Sequence, residues 1–170
     1  MHDLEWLNSL SAAEATKQLL QCCGSKRWAR QIADARPYQN LAELIARANE
    51  TWWSLDGDDW LEAFRSHPKI GETKTAETVS AKSSEWSGQE QAGVNTASSE
   101  TTDALATLNR AYEQRFGYIF IICATGKTSA EMLTALRERL EHDPGEELPI
   151  AAAEQSKITE LRLKKLLTSP

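Results

Sequence analysis

The sequence predicts an all-α fold, a single domain over residues 1–170 with about eight helices and one extended segment near residues 118–124. Apolar residues recur at i, i+3 and i+4 along most of the chain, the spacing of a helix with one buried face. Capping residues, glycines and prolines separate these stretches. Only the run Tyr118 to Cys123 has a β-type composition, and one strand alone cannot form a sheet.

Two helices are predicted between residues 11 and 37. Ser11 followed by Glu14 has the form of a capping box, and Gly24 ends the helix that starts there. Ser25 can cap a second helix, whose apolar residues keep helical spacing until Pro37 ends it.

The next two helices lead to a histidine. Residues 41–52 carry apolar side chains at i, i+3, i+4, i+7 and i+11, which predicts an amphipathic helix. Asp56-Gly57-Asp58 marks a turn, and a short helix over residues 60–64 ends before His67-Pro68. Residues 69–82 are polar and rich in Lys, Thr and Glu, which predicts mostly loop.

Four helices are predicted in the second half of the chain. They run over about residues 84–92, from Ser98–Glu100 to Gly117, from Thr128 or Ser129 to Leu140, and from about Leu148 to Leu167. The segment His142-Asp143-Pro144-Gly145 separates the last two helices, because proline and glycine both disfavour a helix interior.

Composition and charge limit the function classes. Of the 170 residues, 41% are hydrophobic and 26% charged, as in an ordinary globular protein, and no apolar run approaches the length of a membrane span. The net charge of −6 argues against a general nucleic-acid or anionic-membrane binder, because such proteins use cations to neutralise phosphates. The N-terminus lacks a signal-peptide pattern, and three cysteines without CxxC spacing indicate reduced thiols, so we expect a cytoplasmic protein.

His67 is the side chain that most suggests catalysis. It follows a helix, precedes a proline, and is of the residue type that most often carries protons near neutral pH. The alternative is a polar helix-end residue without a role. His67, Glu72 and His142 could in principle bind a metal, but no HExxH or paired-cysteine spacing supports it, so no metal site is predicted.

Two further segments could line a pocket. If residues 87–91 are helical, Ser87, Glu90 and Gln91 share one face and could form a polar wall; the alternative is a solvated face. Phe120 to Ala124 is core by default, but an irregular backbone beside a pocket could offer N–H and C=O groups to a ligand.

The C-terminal helix carries a basic side. Lys164 and Lys165 fit a solvated face, whereas Arg162 could turn inward and hold a carboxylate or carbonyl in fork geometry. This basic side also leaves open a second class of function, a helical protein-binding or regulatory module without catalysis. A metal-dependent hydrolase is the third class considered.

Several of these motifs together resemble the 2-oxo-4-hydroxy-4-carboxy-5-ureidoimidazoline (OHCU) decarboxylase family of urate catabolism. The matching pieces cover nearly the whole chain in the family's order: Trp60-Leu-Glu-Ala-Phe64, His67-Pro-Lys-Ile-Gly71, Ser87-Gly-Gln-Glu-Gln91, Leu108-Asn109 with Tyr112, Phe116 to Ala124, and Lys157-Ile158 with Leu161-Arg-Leu163. No single piece is decisive, but the set is highly specific.

The resemblance implies an all-helical homodimer that decarboxylates OHCU, its small-molecule substrate, to S-allantoin without a cofactor. It places the catalytic histidine on His67, and our hypothesis adds Glu90 as the group that positions or tunes this ring. The implied substrate contacts are Pro68, Ser87, Gly88, Gln89, Glu90, Gln91, Phe120, Ile121, Ile122, Cys123, Ala124 and Arg162.

Overall fold

The computed structural model of the protein describes residues 3–70 and 81–168, without the side chains of residues 81, 95 and 96. Within these residues the chain forms nine α-helices and one 3-10 helix, and no strand. The predicted all-α fold is therefore confirmed. Most of the loop expected over residues 69–82 lies outside the described residues.

The α-helices differ widely in length, from 6 residues in the first to 25 residues in the last. Their bounds are α1 Leu4–Ser9, α2 Ala12–Leu19, α3 Lys26–Asp34, α4 Leu41–Ser54, α5 Gly57–Phe64, α6 Ala81–Glu90, the 3-10 helix Ala92–Thr96, α7 Ser99–Phe116, α8 Ser129–Leu140 and α9 Pro144–Thr168. None of the described helices is long and apolar enough to cross a membrane.

The predicted caps are present. Ser11 and Glu14 form a capping box at the start of α2, and Thr128 with Glu131 forms a second one at the start of α8. The Ser98 hydroxyl accepts a hydrogen bond from the Thr101 N–H at the start of α7. At its end, Gly117 adopts the left-handed conformation with φ of 82°, which glycine reaches without steric cost.

The structure differs from the prediction at both ends of the chain. Helix α1, capped by the Asp3 side chain, was not predicted. Helix α9 begins at Pro144, within the segment expected to separate two helices and ahead of the expected start near Leu148. Proline fits the first position of a helix, because the first N–H groups have no partner inside the helix. Pro149 also lies within α9.

The described chain divides into two compact units. The first holds residues 1–63 and 156–170, the second residues 64–155. In the first unit α3 packs against α2 and α4. Its largest fully buried side chain is Trp28, whose indole N–H donates to the Ala48 carbonyl at 3.0 Å. The prediction of a single domain over residues 1–170 stays a prediction.

The second unit has an aromatic core between α7 and α8. The ring of Tyr112 on α7 lies 4.6 Å from that of Phe116, 5.9 Å from that of Tyr118 and 5.3 Å from that of Phe120. Aliphatic side chains complete this core: Ile70, Leu105, Ile122, Met132, Leu133 and Leu136. Because Tyr118, Phe120 and Ile122 all contribute to it, the segment between α7 and α8 is packed from several sides.

A buried ion pair beside this core holds the segment in place. Arg139 donates from Nε to Glu147 Oε1 at 2.6 Å and from Nη1 to the Ile121 carbonyl at 2.5 Å. The same carboxylate accepts from the Tyr112 hydroxyl at 2.5 Å and contacts His142 Nδ1 at 2.8 Å. The side chains of Arg139 and Glu147 are 8% and 0% exposed, so the pair is withdrawn from water. We call the set of Arg139, Glu147, Ile121, Tyr112 and His142 the Arg139 network.

We expect Gly93→Ala to destabilise the protein. A Cβ at Gly93 would collide with the backbone carbonyl of Lys127, and backbone yields less easily than a flexible side chain. The loss should be about 1–3 kcal/mol, as for other overpacked sites, and a thermal unfolding curve measures it.

Gly88→Ala is the matched control, because a Cβ at Gly88 meets no atom within 4 Å. Alanine has the higher helix propensity, so this variant should be about 1 kcal/mol more stable than the unchanged protein. Equal unfolding temperatures for the two variants would contradict the close approach of the 3-10 helix to the backbone at Lys127.

Candidate functional site

His67 lies just after α5, where the chain turns. Its backbone N–H donates to the Phe64 carbonyl at 3.1 Å, and its ring is half-buried. The ring Nε2 contacts the Oε1 of Gln155 on α9 at 2.6 Å. Because an amide oxygen only accepts, Nε2 is the donor in this contact. Gln155 is itself fully buried, so it fixes the orientation of the imidazole.

The predicted polar face of residues 87–91 is present on α6. Ser87 and Glu90 are buried, Gln91 is half-buried, and the Gln91 N–H donates to the Ser87 carbonyl at 3.1 Å. Gly88 and Gln89 lie on the exposed side, where Gln89 donates to Glu85 at 3.3 Å. The helix therefore turns Ser87 and Glu90 inward and the two residues between them towards solvent.

Residues 120–124 are all buried, yet they form neither helix nor strand. Two of their carbonyls are paired: Ile121 accepts from Arg139, and Ala124 accepts from the Lys127 N–H at 3.0 Å. Within the described part of the chain, their five N–H groups donate to no acceptor. Buried amides are usually paired, so this backbone is suited to hydrogen bonds with a ligand.

Cys123 connects this backbone with two of the helices. Burial raises the pKa of its thiol, and the nearby carboxylates of Glu154 and Glu90 raise it further. The charges of Glu90, on α6, and of Glu154, on α9, therefore both act on Cys123. The residue after Glu154 is Gln155, the partner of His67. The second unit thus contains three segments considered from the sequence: the turn at His67, the inward face of α6 and residues 120–124. It also contains the middle of α9, where Gln155 contacts His67.

Arg162 belongs to the first unit. It is 2% exposed and donates from Nη1 to the Gln21 carbonyl at 3.4 Å, so the inward orientation considered from the sequence is confirmed. Nearby, burial raises the pKa of the Cys23 thiol to about 12, an effect that the Arg162 charge opposes. Lys164, on the exposed side of the same helix, donates to Glu160 at 2.7 Å.

The candidate metal ligands are not brought together in the described part of the chain. No group of three His, Cys, Asp or Glu side chains there has a geometry that could hold an ion. Glu72 lies outside the described residues, and His142 contacts Glu147 in the Arg139 network.

Gln155, Arg139 and Glu147 were not predicted as site residues from the sequence. The signal for two of them was present: Glu147, Ala151 and Gln155 follow each other at i, i+4 and i+8, and all three are fully buried. Polar residues in register with a buried alanine on one helix face indicate an internal polar contact. Because the helix was expected to begin near Leu148, Glu147 was not placed on this face.

Comparisons with known proteins show the family of the chain. The sequence profile of the OHCU decarboxylase family matches residues 8–164. The bifunctional uric acid degradation protein TTL of Arabidopsis thaliana is 43% identical over 86% of this chain, and the 2-oxo-4-hydroxy-4-carboxy-5-ureidoimidazoline decarboxylase of Amia calva is 30% identical over 99% of it. A crystal structure of OHCU decarboxylase in the presence of (S)-allantoin is 41% identical, with a TM-score of 0.76, and covers 89% of this chain and 98% of its own.

The lengths of these relatives differ. This chain spans 45% of the Arabidopsis protein and about a third of two bifunctional proteins from Bacillus, but 96% of the Amia protein. A crystal structure of (S)-allantoin synthase is 20% identical with a TM-score of 0.71, which supports the fold alone. The family profile covers most of the chain, and the Amia relative matches it almost end to end, so the chain belongs to the OHCU decarboxylase family.

Proposed function

We propose that this chain catalyses the decarboxylation of OHCU to S-allantoin, the last step from urate to allantoin. The observation that carries the proposal is the pairing of His67 with buried Gln155, in the same unit as a buried backbone stretch whose N–H groups donate to no acceptor among the described residues. Membership of the OHCU decarboxylase family supports it. A homodimer is part of the same proposal and rests on the resemblance to the family. A cytoplasmic location is also proposed, and it rests on the three free cysteines.

The reaction needs proton transfer and orientation more than an external electron sink. In OHCU the carboxylate is attached to a carbon that also bears a hydroxyl and adjoins an imine-type carbon. When the bond to CO2 breaks, its electron pair forms a double bond to that neighbouring carbon, and the imine nitrogen takes up a proton. The hydroxyl proton then leaves as the carbonyl forms, and the neighbouring carbon is protonated on one face. The substrate thus supplies the electron acceptor that other decarboxylases obtain from a cofactor.

His67 is suited to this proton transfer. An imidazole exchanges protons readily near neutral pH, and Gln155 fixes the direction in which the ring presents its nitrogens. In the proposal His67 removes the hydroxyl proton and delivers a proton to one face of the neighbouring carbon. Glu90, buried on α6, positions or tunes the histidine. Fixed geometry of this kind would make a single enantiomer of the product.

The other residues would bind the substrate. In the proposal, the N–H groups of Phe120 to Ala124 bind its ring oxygens and nitrogens, and Ser87 and Gln91 hold the ureido and ring amides. Pro68, Gly88 and Gln89 are proposed as contacts on the resemblance alone. Arg162 would orient a carboxylate or carbonyl oxygen, because its guanidinium forms paired hydrogen bonds with planar acceptors.

Replacing the histidine tests the proposal. We expect His67→Asn to lower the turnover of OHCU by about 10²- to 10⁴-fold, the usual contribution of a general acid–base group. The loss of OHCU absorbance after its synthesis from urate measures the rate, and a thermal unfolding curve checks that the variant is folded.

His2→Asn is the matched control and should keep the activity of the unchanged protein. If the folded His67→Asn variant turned over OHCU at the unchanged rate, His67 would not be the proton carrier.

The arginine is tested by a different kinetic constant. Arg162→Lys keeps the charge but loses the fork geometry, so KM for OHCU should rise by a larger factor than kcat falls. Lysine is chosen because truncation to alanine would also leave a cavity and the Gln21 carbonyl without its partner.

Arg47→Lys is the matched control, because Arg47 is exposed and pairs only with exposed Glu50 among the described residues. An unchanged KM in Arg162→Lys would remove Arg162 from substrate binding.

A further inference from the structure

The Arg139 network joins the side chains of three helices to one backbone carbonyl. Arg139 lies on α8, Glu147 on α9 and Tyr112 on α7, so three helices meet at one buried carboxylate. From this cluster, Arg139 Nη1 donates to the backbone of the proposed substrate-binding segment, at the Ile121 carbonyl. That carbonyl belongs to the second of the five residues whose N–H groups donate to no acceptor within the described chain.

We propose that Arg139, locked by Glu147, is a positioning residue that holds the backbone of Phe120 to Ala124 in the conformation that binds substrate. The inference rests on the proposed function of this segment. A segment without helix or strand has no ladder of its own to fix its conformation, so an outside donor must supply the constraint. The Arg139 guanidinium supplies it at 2.5 Å from the Ile121 oxygen.

The guanidinium is itself held on several sides. Nε and Nη2 both reach Glu147 Oε1, at 2.6 Å and 2.5 Å, which leaves Nη1 directed at Ile121. The Phe120 ring lies under the guanidinium, with its centroid 4.6 Å from Cζ. A planar cation with donors fixed at set angles can satisfy a carboxylate and a carbonyl together, whereas a lysine ammonium is a single point of charge.

The carboxylate of Glu147 is held in turn by two further donors, Tyr112 and His142. Burial raises the pKa of the Tyr112 phenol, and its hydrogen bond to Glu147 raises it further, so Tyr112 remains a donor. His142 Nδ1 lies 2.8 Å from the other carboxylate oxygen. Because a carboxylate only accepts, Nδ1 carries the hydrogen in this contact. Both oxygens of Glu147 are therefore occupied, and the carboxylate cannot rotate without breaking one of these bonds.

Arg139→Lys tests the inference, with Arg137→Lys as the matched control. Arg137 lies on the same helix but is exposed. Backbone hydrogen bonds to the substrate act in the ground state and the transition state alike, so their loss raises KM with little change in kcat. We expect Arg139→Lys to raise KM for OHCU by about tenfold or more, the effect of one charge-assisted hydrogen bond, and Arg137→Lys to leave KM unchanged.

Hydrogen–deuterium exchange supplies a readout that does not depend on activity. In Arg139→Lys the amides of residues 120–124 should exchange faster, while those of α7 keep their protection. A folded variant with unchanged KM and unchanged exchange over these residues would overturn the inference. So would a lower unfolding temperature without either change, because the arginine would then be merely structural.

Glu147→Gln tests the positioning role of Arg139 if the Arg139→Lys variant does not fold. It keeps the shape of the side chain but removes the charge that locks Arg139, so KM and exchange should change in the same direction by smaller factors. An unchanged KM in a folded Glu147→Gln variant would also overturn the inference. If the unchanged protein did not accelerate OHCU decarboxylation at all, the proposed function would fail instead, and the exchange experiment alone would report on positioning.

Discussion

The ion pair between Arg139 and Glu147 is the interaction on which the second unit depends. Two charges withdrawn from water are costly, and the cost is offset only when both are paired and their remaining hydrogen-bonding groups are satisfied. Here the guanidinium has Glu147 and the Ile121 carbonyl, and the carboxylate has Arg139, Tyr112 and His142. Removing one partner of such a pair typically costs about 3–5 kcal/mol, because the other charge is left buried and unpaired. The start of α9 and the segment after α7 are fixed by the same group of atoms.

Most residues of the candidate site lie at the ends of helices or in the segments between them. His67 comes just after α5, residues 120–124 come between α7 and α8, and Glu90 closes α6. Irregular backbone at these points exposes groups that a helix would use internally, while the helices hold the ends of each segment. Gln155 differs, since it lies within α9 and orients His67 from a rigid element. A side chain that lies outside the helices can therefore still have a fixed direction.

Local signals in the sequence were sufficient for most helix boundaries. Ser11, Ser98, Gly117 and Thr128 act on backbone groups a few residues away, so their role is readable without the rest of the fold. The start of α9 was predicted too late in the sequence because proline is both a helix breaker and a favoured first residue of a helix. Only the structure distinguishes these two roles at Pro144. Arg139 and Gln155 were missed for another reason. They bond to residues 18 and 88 positions away in sequence. The spacing on α9 could mark Gln155 as buried, but no local pattern identifies partners at such distances.

The stereochemistry of the product tests the account most directly. OHCU is generated from urate by the two preceding activities, and circular dichroism then follows allantoin formation with and without this protein. A site that fixes His67 on one side of a held substrate predicts rapid appearance of a single enantiomer, S-allantoin, when the protein is present. Slow formation of racemic allantoin at the same rate with and without the protein would contradict the account.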